Sequence, residues 1–370
     1  MYAESNMIYK KELISIIIVK ILFTLFAVFV YNHFSHLADS ERYLNATMDL
    51  NNFLDRTQLV DNIFSLLRCL ISSKLLVNIF ISIIFGFSFY FVFKDLLNFI
   101  DKKLLYICFL LPSFQIWTSV AGKEIIAIAG LLFFVKWIVN IQFGRKNRII
   151  YLLVGVFFGI LLRPHYGIAY AYLASSIIIL SNVKFANFSK WFYILLLAIM
   201  SIILALILAV TADLWSEKFL AVLVIIKNYF LSSDTAYANR YYIQWGGVAD
   251  YFYNIAWGFW VSIIGPTLYE TLNRIVYAPF FIEGIISLTL MIYIFYRFYK
   301  VTEINVLYRK YFYIAFIPAV IIVLMIHYPF GVFNPGAAIR YKQNITPLIY
   351  FYPLLVLACI NESKAKCYMR

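Results

Sequence analysis

Charge is scarce in this 370-residue chain. Only 13% of the residues are Asp, Glu, Lys or Arg, about half the share found in ordinary soluble domains. So few charges cannot furnish an aqueous surface. Cysteine is scarce too: Cys69, Cys108, Cys359 and Cys367 are scattered with no C-x-x-C spacing. That excludes a disulfide framework and a cysteine zinc site, and leaves each as a small apolar filler. There is no glycine-rich phosphate loop and no D-x-D on the side read below as cytoplasmic, so no nucleotide-sugar site is legible. Alternating ten-residue segments are missing, which excludes a transmembrane barrel. Internal repeats, low-complexity tracts and a separate soluble domain are missing as well.

What remains is apolar. Hydrophobic residues make up 64% of the chain, aromatic residues 20%, and mean hydropathy is +0.85. Successive apolar runs of the length that crosses ~30 Å of hydrocarbon predict an all-α, polytopic membrane bundle formed as a single domain over 1–370. The expected spans are 12–34, 75–93, 104–120, 125–143, 149–163, 166–183, 191–212, 277–298, 312–330 and 345–361, about 10 in all, within a range of 10–12. The first run is too long for a signal h-region and reads as a retained helix, with Lys20 snorkelling from it.

With both termini inside, most of the 31 basic residues fall on the inner side and the outer side is close to neutral, as the positive-inside rule requires. The basic clusters are short loop ends, which excludes nucleic acid as a partner. Residues 251–269 (YFYNIAWGFWVSIIGPTLY) are apolar enough to span, but a span there would invert the later loops. Their aromatic content and the Gly265-Pro266 break predict an interfacial or re-entrant segment.

The unusual polar residues lie on the outer side, in the loops 35–74 and 213–276 and in three tight turns. The first loop opens DSERYLNATM. Asp39 and Tyr43 are four apart, on one side of a helical turn, with Glu41 and Arg42 between them. A carboxylate just beyond a spanning helix can act as a general base, hold a metal ion, or simply cap a helix. Further on, Phe53, Val60, Ile63, Leu67 and Leu70 predict an amphipathic surface helix.

In LLPSFQIWTSVAGKEIIAIAG, Gly122 permits a turn and Trp117 sits at interfacial height. Glu124 then starts a descending helix, where its charge suits the positive dipole end. Lys123 is left to face an anion. In LLRPHYG, Arg163 lies so near the hydrocarbon that it must meet protein, a wet cavity or a lipid headgroup. Its fork matches phosphate oxygens, and His165 can donate to the same anion or exchange a proton. The last turn ends with Arg340 and Lys342 flanking Tyr341. Glu283 in the eighth span and Arg240 in YANRYYIQWGG are further candidates. The tract 237–260 is dense in aromatics, which suit either sugar faces or a membrane interface. Cations in the tightest turns of a neutral face predict a specific anion, and the apolar surroundings make a lipid phosphate or diphosphate the natural one.

The run DSERY resembles the D-x-x-R-Y pattern of lipid-dependent, GT-C-like integral-membrane glycosyltransferases. LPSFQIWTSVAGKE, LLRPH and GAAIRYK resemble turns of Wzy-type O-antigen and capsule repeat-unit polymerases. The resemblance implies a polymerase joining undecaprenyl-diphosphate-linked oligosaccharides at the outer face of a bacterial inner membrane, in surface-polysaccharide (lipopolysaccharide) synthesis. A chain-length regulator and a flippase of the same pathway are implied as partners. In that reading Asp39 is the base, with Glu41 and His165 as further catalytic candidates. Lys123, Arg163, Arg340, Lys342 and Arg240 bind the lipid phosphate, and Tyr43, Glu124 and Glu283 are secondary candidates. No cofactor is required, and Asp213, Asp234 and Asp250 are only loosely placed for a divalent metal. Two alternatives stay open: transfer of one sugar from a polyprenyl-monophosphate donor, and flipping of lipid-linked oligosaccharide.

Overall fold

The computed structural model describes residues 2–35, 37, 39–49, 55–182, 189–231, 239–305 and 308–368. Phe53 and Asp234, and the start of the 237–260 tract, lie outside them. Among the described residues every regular element is helical. Helix satisfies each backbone group within its own segment, which apolar runs in hydrocarbon need.

Among the described residues, five helices are long and apolar enough to cross a membrane: Lys11–Phe34, Lys74–Leu96, Lys123–Gln142, Ile275–Ile304 and Tyr311–Val332. A sixth is added if Pro335–Asn344 and Pro347–Cys367, bent by 46°, form one span. Ile149–Ile160, Lys190–Leu204 and Ile255–Ile264 are apolar but shorter. The stretch expected as a span at 104–120 is broken, because Leu110 and Leu111 separate two short helices and Pro112 opens the second.

The chain divides into two compact units, Met1–Gly167 with Leu354–Arg370, and Ile168–Pro353. The first contains helices α1 (Tyr2–Phe26), α2 (Asp39–Asn45), α3 (Arg56–Leu70), α4 (Lys74–Phe93), α5 (Lys102–Phe109), α6 (Pro112–Trp117), α7 (Lys123–Gln142) and α8 (Ile149–Val154), and the start of α9 (Pro164–Asn182). Here α1 packs on α4 and α6, α4 on α7, and α7 on α8 and the π-helical turn Gly155–Ile160 that follows it. A ladder of Phe85, Phe89, Phe93, Phe109 and Phe114 fills the α4–α6 contact. At the α7 crossing, a Cβ on Gly130 would run into the backbone of Gly159, so only glycine allows this approach.

Two lysines in this unit differ from a snorkelling group. Lys20 is fully buried; its Nζ donates to Thr118 Oγ1 at 2.8 Å and Gln115 Oε1 at 3.3 Å, over the Phe85 ring. Its position nine residues into the Lys11–Phe34 helix leaves ~14 Å to that end, too far for its stem to reach water. Lys136 Nζ reaches Asp95 Oδ2 at 2.7 Å and the last carbonyls of α4, Val92 at 2.9 Å and Phe91 at 3.1 Å. All three of its donors are used, and a cation there suits the negative end of the helix.

The second unit holds most of α9, then α10 (Lys190–Val210), α11 (Ala212–Leu231), α12 (Val248–Tyr253), α13 (Ile255–Ile264), α14 (Leu268–Asn273), α15 (Ala278–Ile304), α16 (Ile317–Val332) and α17 (Pro335–Tyr341). The final helix, α18 (Tyr352–Tyr368), begins here and continues in the first unit. Within this unit α13 packs on α15, α16 and α17. A core of Leu223, Phe230, Trp245, Tyr251, Tyr328 and Phe333 gathers around α16. A Cβ on Gly284 of α15 would meet the Ile264 carbonyl that ends α13. Gly265 then turns the chain in the left-handed region, φ 94°. The ten residues of α13 make ~15 Å of helix, half of what the hydrocarbon core needs.

Candidate functional site

In the first unit, the first loop and two later turns bring charged groups together. α2 starts at Asp39 and carries Arg42 and the buried Tyr43. α3 begins at its N-cap Asp55, whose carboxylate accepts from the amides of Thr57 (2.7 Å) and Gln58 (2.9 Å). Those donors hold the Asp55 carboxyl below the usual carboxylate range. The hydroxyl of Thr57 receives Lys123 Nζ at 2.6 Å. Next to Lys123, Glu124 is buried and accepts from Arg163 Nη2 at 2.7 Å. The charges of Arg163, Asp55, Glu124 and Arg42 all reach Lys123.

Tyr43 lies in the field of Glu124 and Asp39. Burial, then those two carboxylates, push its phenol well above the ordinary range, while Arg42 opposes them. The Tyr43 ring packs against Phe64 of α3, with centroids 5.8 Å apart.

Several expectations change here. Lys123 is not left wholly to an anion: one of its three donors is committed to Thr57. Glu124 is more than a helix-start charge, because it is the acid partner of Arg163. Glu41 faces outward, its side chain 79% exposed and 4.0 Å from Lys74. His165 is half-buried beside the Tyr166 ring, centroids 4.5 Å apart. The amphipathic helix forms as α3, but the face turned into the protein is Val60, Asp61, Asn62 and Phe64; Ile63 and Leu67 are half-buried and Leu70 is exposed.

In the second unit, Arg240 is a clamp. Its Nε and Nη2 meet the two Glu270 oxygens at 2.6 and 2.7 Å, Nη2 also reaches the Gly265 carbonyl, and Nη1 takes the Gly331 and Val332 carbonyls. A guanidinium has five N–H donors, and all five have acceptors here, so none is left for a phosphate. Lys342 and Glu283 are both buried and pair at 2.9 Å. Arg340 is half-buried over the Tyr341 ring at 5.5 Å.

Sequence reasoning missed His327, which is fully buried in α16 where the charge of Lys342 reaches it. Its signal was a lone histidine inside the run VIIVLMIHYPF, since ionisable residues within spans are rare and mark function or pairing. Asp61 and Thr57 were missed because each looked like the polar side of a surface helix. Asp213 and Asp250 do not assemble a metal site; among the described residues no group of three or more His, Cys, Asp or Glu could hold an ion.

Compared with known proteins, the chain matches no protein-family model, no curated protein and no solved structure.

Proposed function

We propose that the protein is a GT-C-like integral-membrane glycosyltransferase that polymerises undecaprenyl-diphosphate-linked oligosaccharide repeat units at the outer face of the bacterial cytoplasmic membrane. The observation that carries this reading is the convergence of Asp39, Tyr43, Lys123, Glu124 and Arg163 at one end of the first unit. Acid and cation from three separate segments are what glycosyl transfer from a lipid diphosphate requires.

The acceptor hydroxyl gives its proton to Asp39 while its oxygen bonds to the anomeric carbon of the donor. The bond from that carbon to the phosphate oxygen breaks, and the diphosphate leaves with the electron pair. Lys123 and Arg163 counter the charge that grows on the leaving group. Arg340 and Lys342 belong to the second unit, where Lys342 pairs with Glu283. Arg240 drops out, because its donors are already occupied. This reading includes an N-in, C-in bundle of about ten crossings, in which α13 is re-entrant or interfacial.

The test is the polysaccharide itself. Asp39→Ala and Arg163→Ala, expressed in a deletion strain, should leave lipid A core bearing single repeat units while the protein still inserts into the membrane. A long-chain ladder persisting in both variants would falsify the reading.

A further inference from the structure

The inward face of α3 departs from an apolar stripe. Val60 and Phe64 are buried there, but so are Asp61 and Asn62 between them. The Asn62 amide grips the backbone of Asp49 in both directions, accepting from its N–H at 2.8 Å and donating to its carbonyl at 2.7 Å. Gln58 Nε2 donates to the same Asn62 oxygen at 3.0 Å. With Tyr43 seated on Phe64, these contacts already fasten the α2 segment to α3.

Asp61 does something else. Arg42 Nη1 donates to both of its oxygens, at 3.0 and 2.9 Å. The guanidinium carbon then lies 4.3 Å from the centre of the Tyr43 ring. The Arg42 side chain is 45% exposed, and half-exposed ion pairs contribute little stability. As a staple the pair is redundant. Its consequence is directional: a long side chain with many rotamers is held in the one orientation that covers Tyr43.

We propose that Asp61 is a positioning residue of the site, fixing Arg42 against Tyr43 so that the phenol is held in one place within the field of Asp39 and Glu124. In the transfer reading, on which the catalytic consequence rests, Tyr43 remains a hydrogen-bond donor to the acceptor and Asp39 alone removes the proton. Asp61 touches neither substrate and acts only through Arg42.

The experiment reads Tyr43 directly. Difluorotyrosine, whose phenol is more acidic than that of tyrosine, is placed at position 43 by stop-codon suppression. Its fluorine resonance is followed against pH in detergent-purified protein. Two effects of Asp61→Asn have opposite sign. Removing a nearby anion by itself would lower the ionisation midpoint. Releasing Arg42 from the ring removes the cation that favours the phenolate, and raises it. The positioning role predicts an upward shift of about one pH unit, matched in direction by Arg42→Gln, partly reversed by Asp61→Glu, with thermal unfolding unchanged. A downward shift, no shift, or an Asp61→Glu protein that behaves like Asp61→Asn overturns it. The resonance needs no glycan. If it moves as expected while Asp39→Ala leaves the polysaccharide ladder intact, the transfer reading fails and the positioning stands.

Discussion

Arg163 and Arg240 make a useful pair. Both are buried, both sit in polar turns, and both bond to a glutamate. Around Arg240 the protein has closed: two carboxylate oxygens and three main-chain carbonyls surround the fork. Those carbonyls come from the end of α13 and the end of α16, so the arginine ties chain segments of the second unit together. Around Arg163 the neighbours are other ionisable side chains, Glu124 and Lys123 among them. A guanidinium bound to carbonyls is part of the frame. One set among titratable groups is the one that the proposed transfer uses.

Replacing each arginine by lysine tests that distinction. Lysine has three donors and no fork, and cannot reach five acceptors. Arg240→Lys should cost about 3 kcal/mol through unmet hydrogen bonds to charged and main-chain groups, read as a lowered thermal transition in detergent. Arg163→Lys keeps a cation opposite the buried Glu124, so the pair is weakened and not broken; it should move that transition by about 1 kcal/mol, while on the proposed reading the polysaccharide ladder is lost. Equal destabilisation in the two variants would erase the contrast.

A smaller effect probes the frame away from any charge. Gly284→Ala forces a methyl against the Ile264 carbonyl and should destabilise by about 1–3 kcal/mol, checked by the same melting experiment. The smallest effect concerns the support of Lys123. Asp55→Ala removes the cap of α3 next to Thr57 and should cost about 1 kcal/mol. Because the folded carboxyl is held below its ordinary range, its contribution is complete above the unfolded value of about 3.9. It fades as pH falls through the lower folded value, so wild type and Asp55→Ala should melt alike only in strong acid.

The helical class was legible because apolar length and backbone satisfaction leave few choices. The positions of five long helices follow from the same runs. The members of the candidate site were legible one residue at a time: Asp39, Tyr43, Lys123, Glu124 and Arg163 stand out as polar groups in tight or loop positions. Their partnerships were not. Glu124 and Arg163 are 39 residues apart, and Arg42 and Asp61 are 19 apart. No local period links such pairs, so Glu124 looked like a dipole effect and Asp61 like a solvated face. Lys20 failed for a related reason. Its acceptors, Gln115 and Thr118, belong to the short α6 region that hydropathy alone would merge into a continuous span.

The glycine crossing in the first unit has a mechanical reading. Gly130 stands six residues beyond Glu124, and Gly159 four residues before Arg163. Where their backbones touch, the two segments share a fulcrum with short arms toward the same ion pair. Helix geometry turns a side chain by about 100° for each residue of slip. A bulkier residue at the fulcrum would therefore not merely push the helices apart. It would swing Arg163 off Glu124, the way a shifted pivot misaligns the jaws of a pair of pliers.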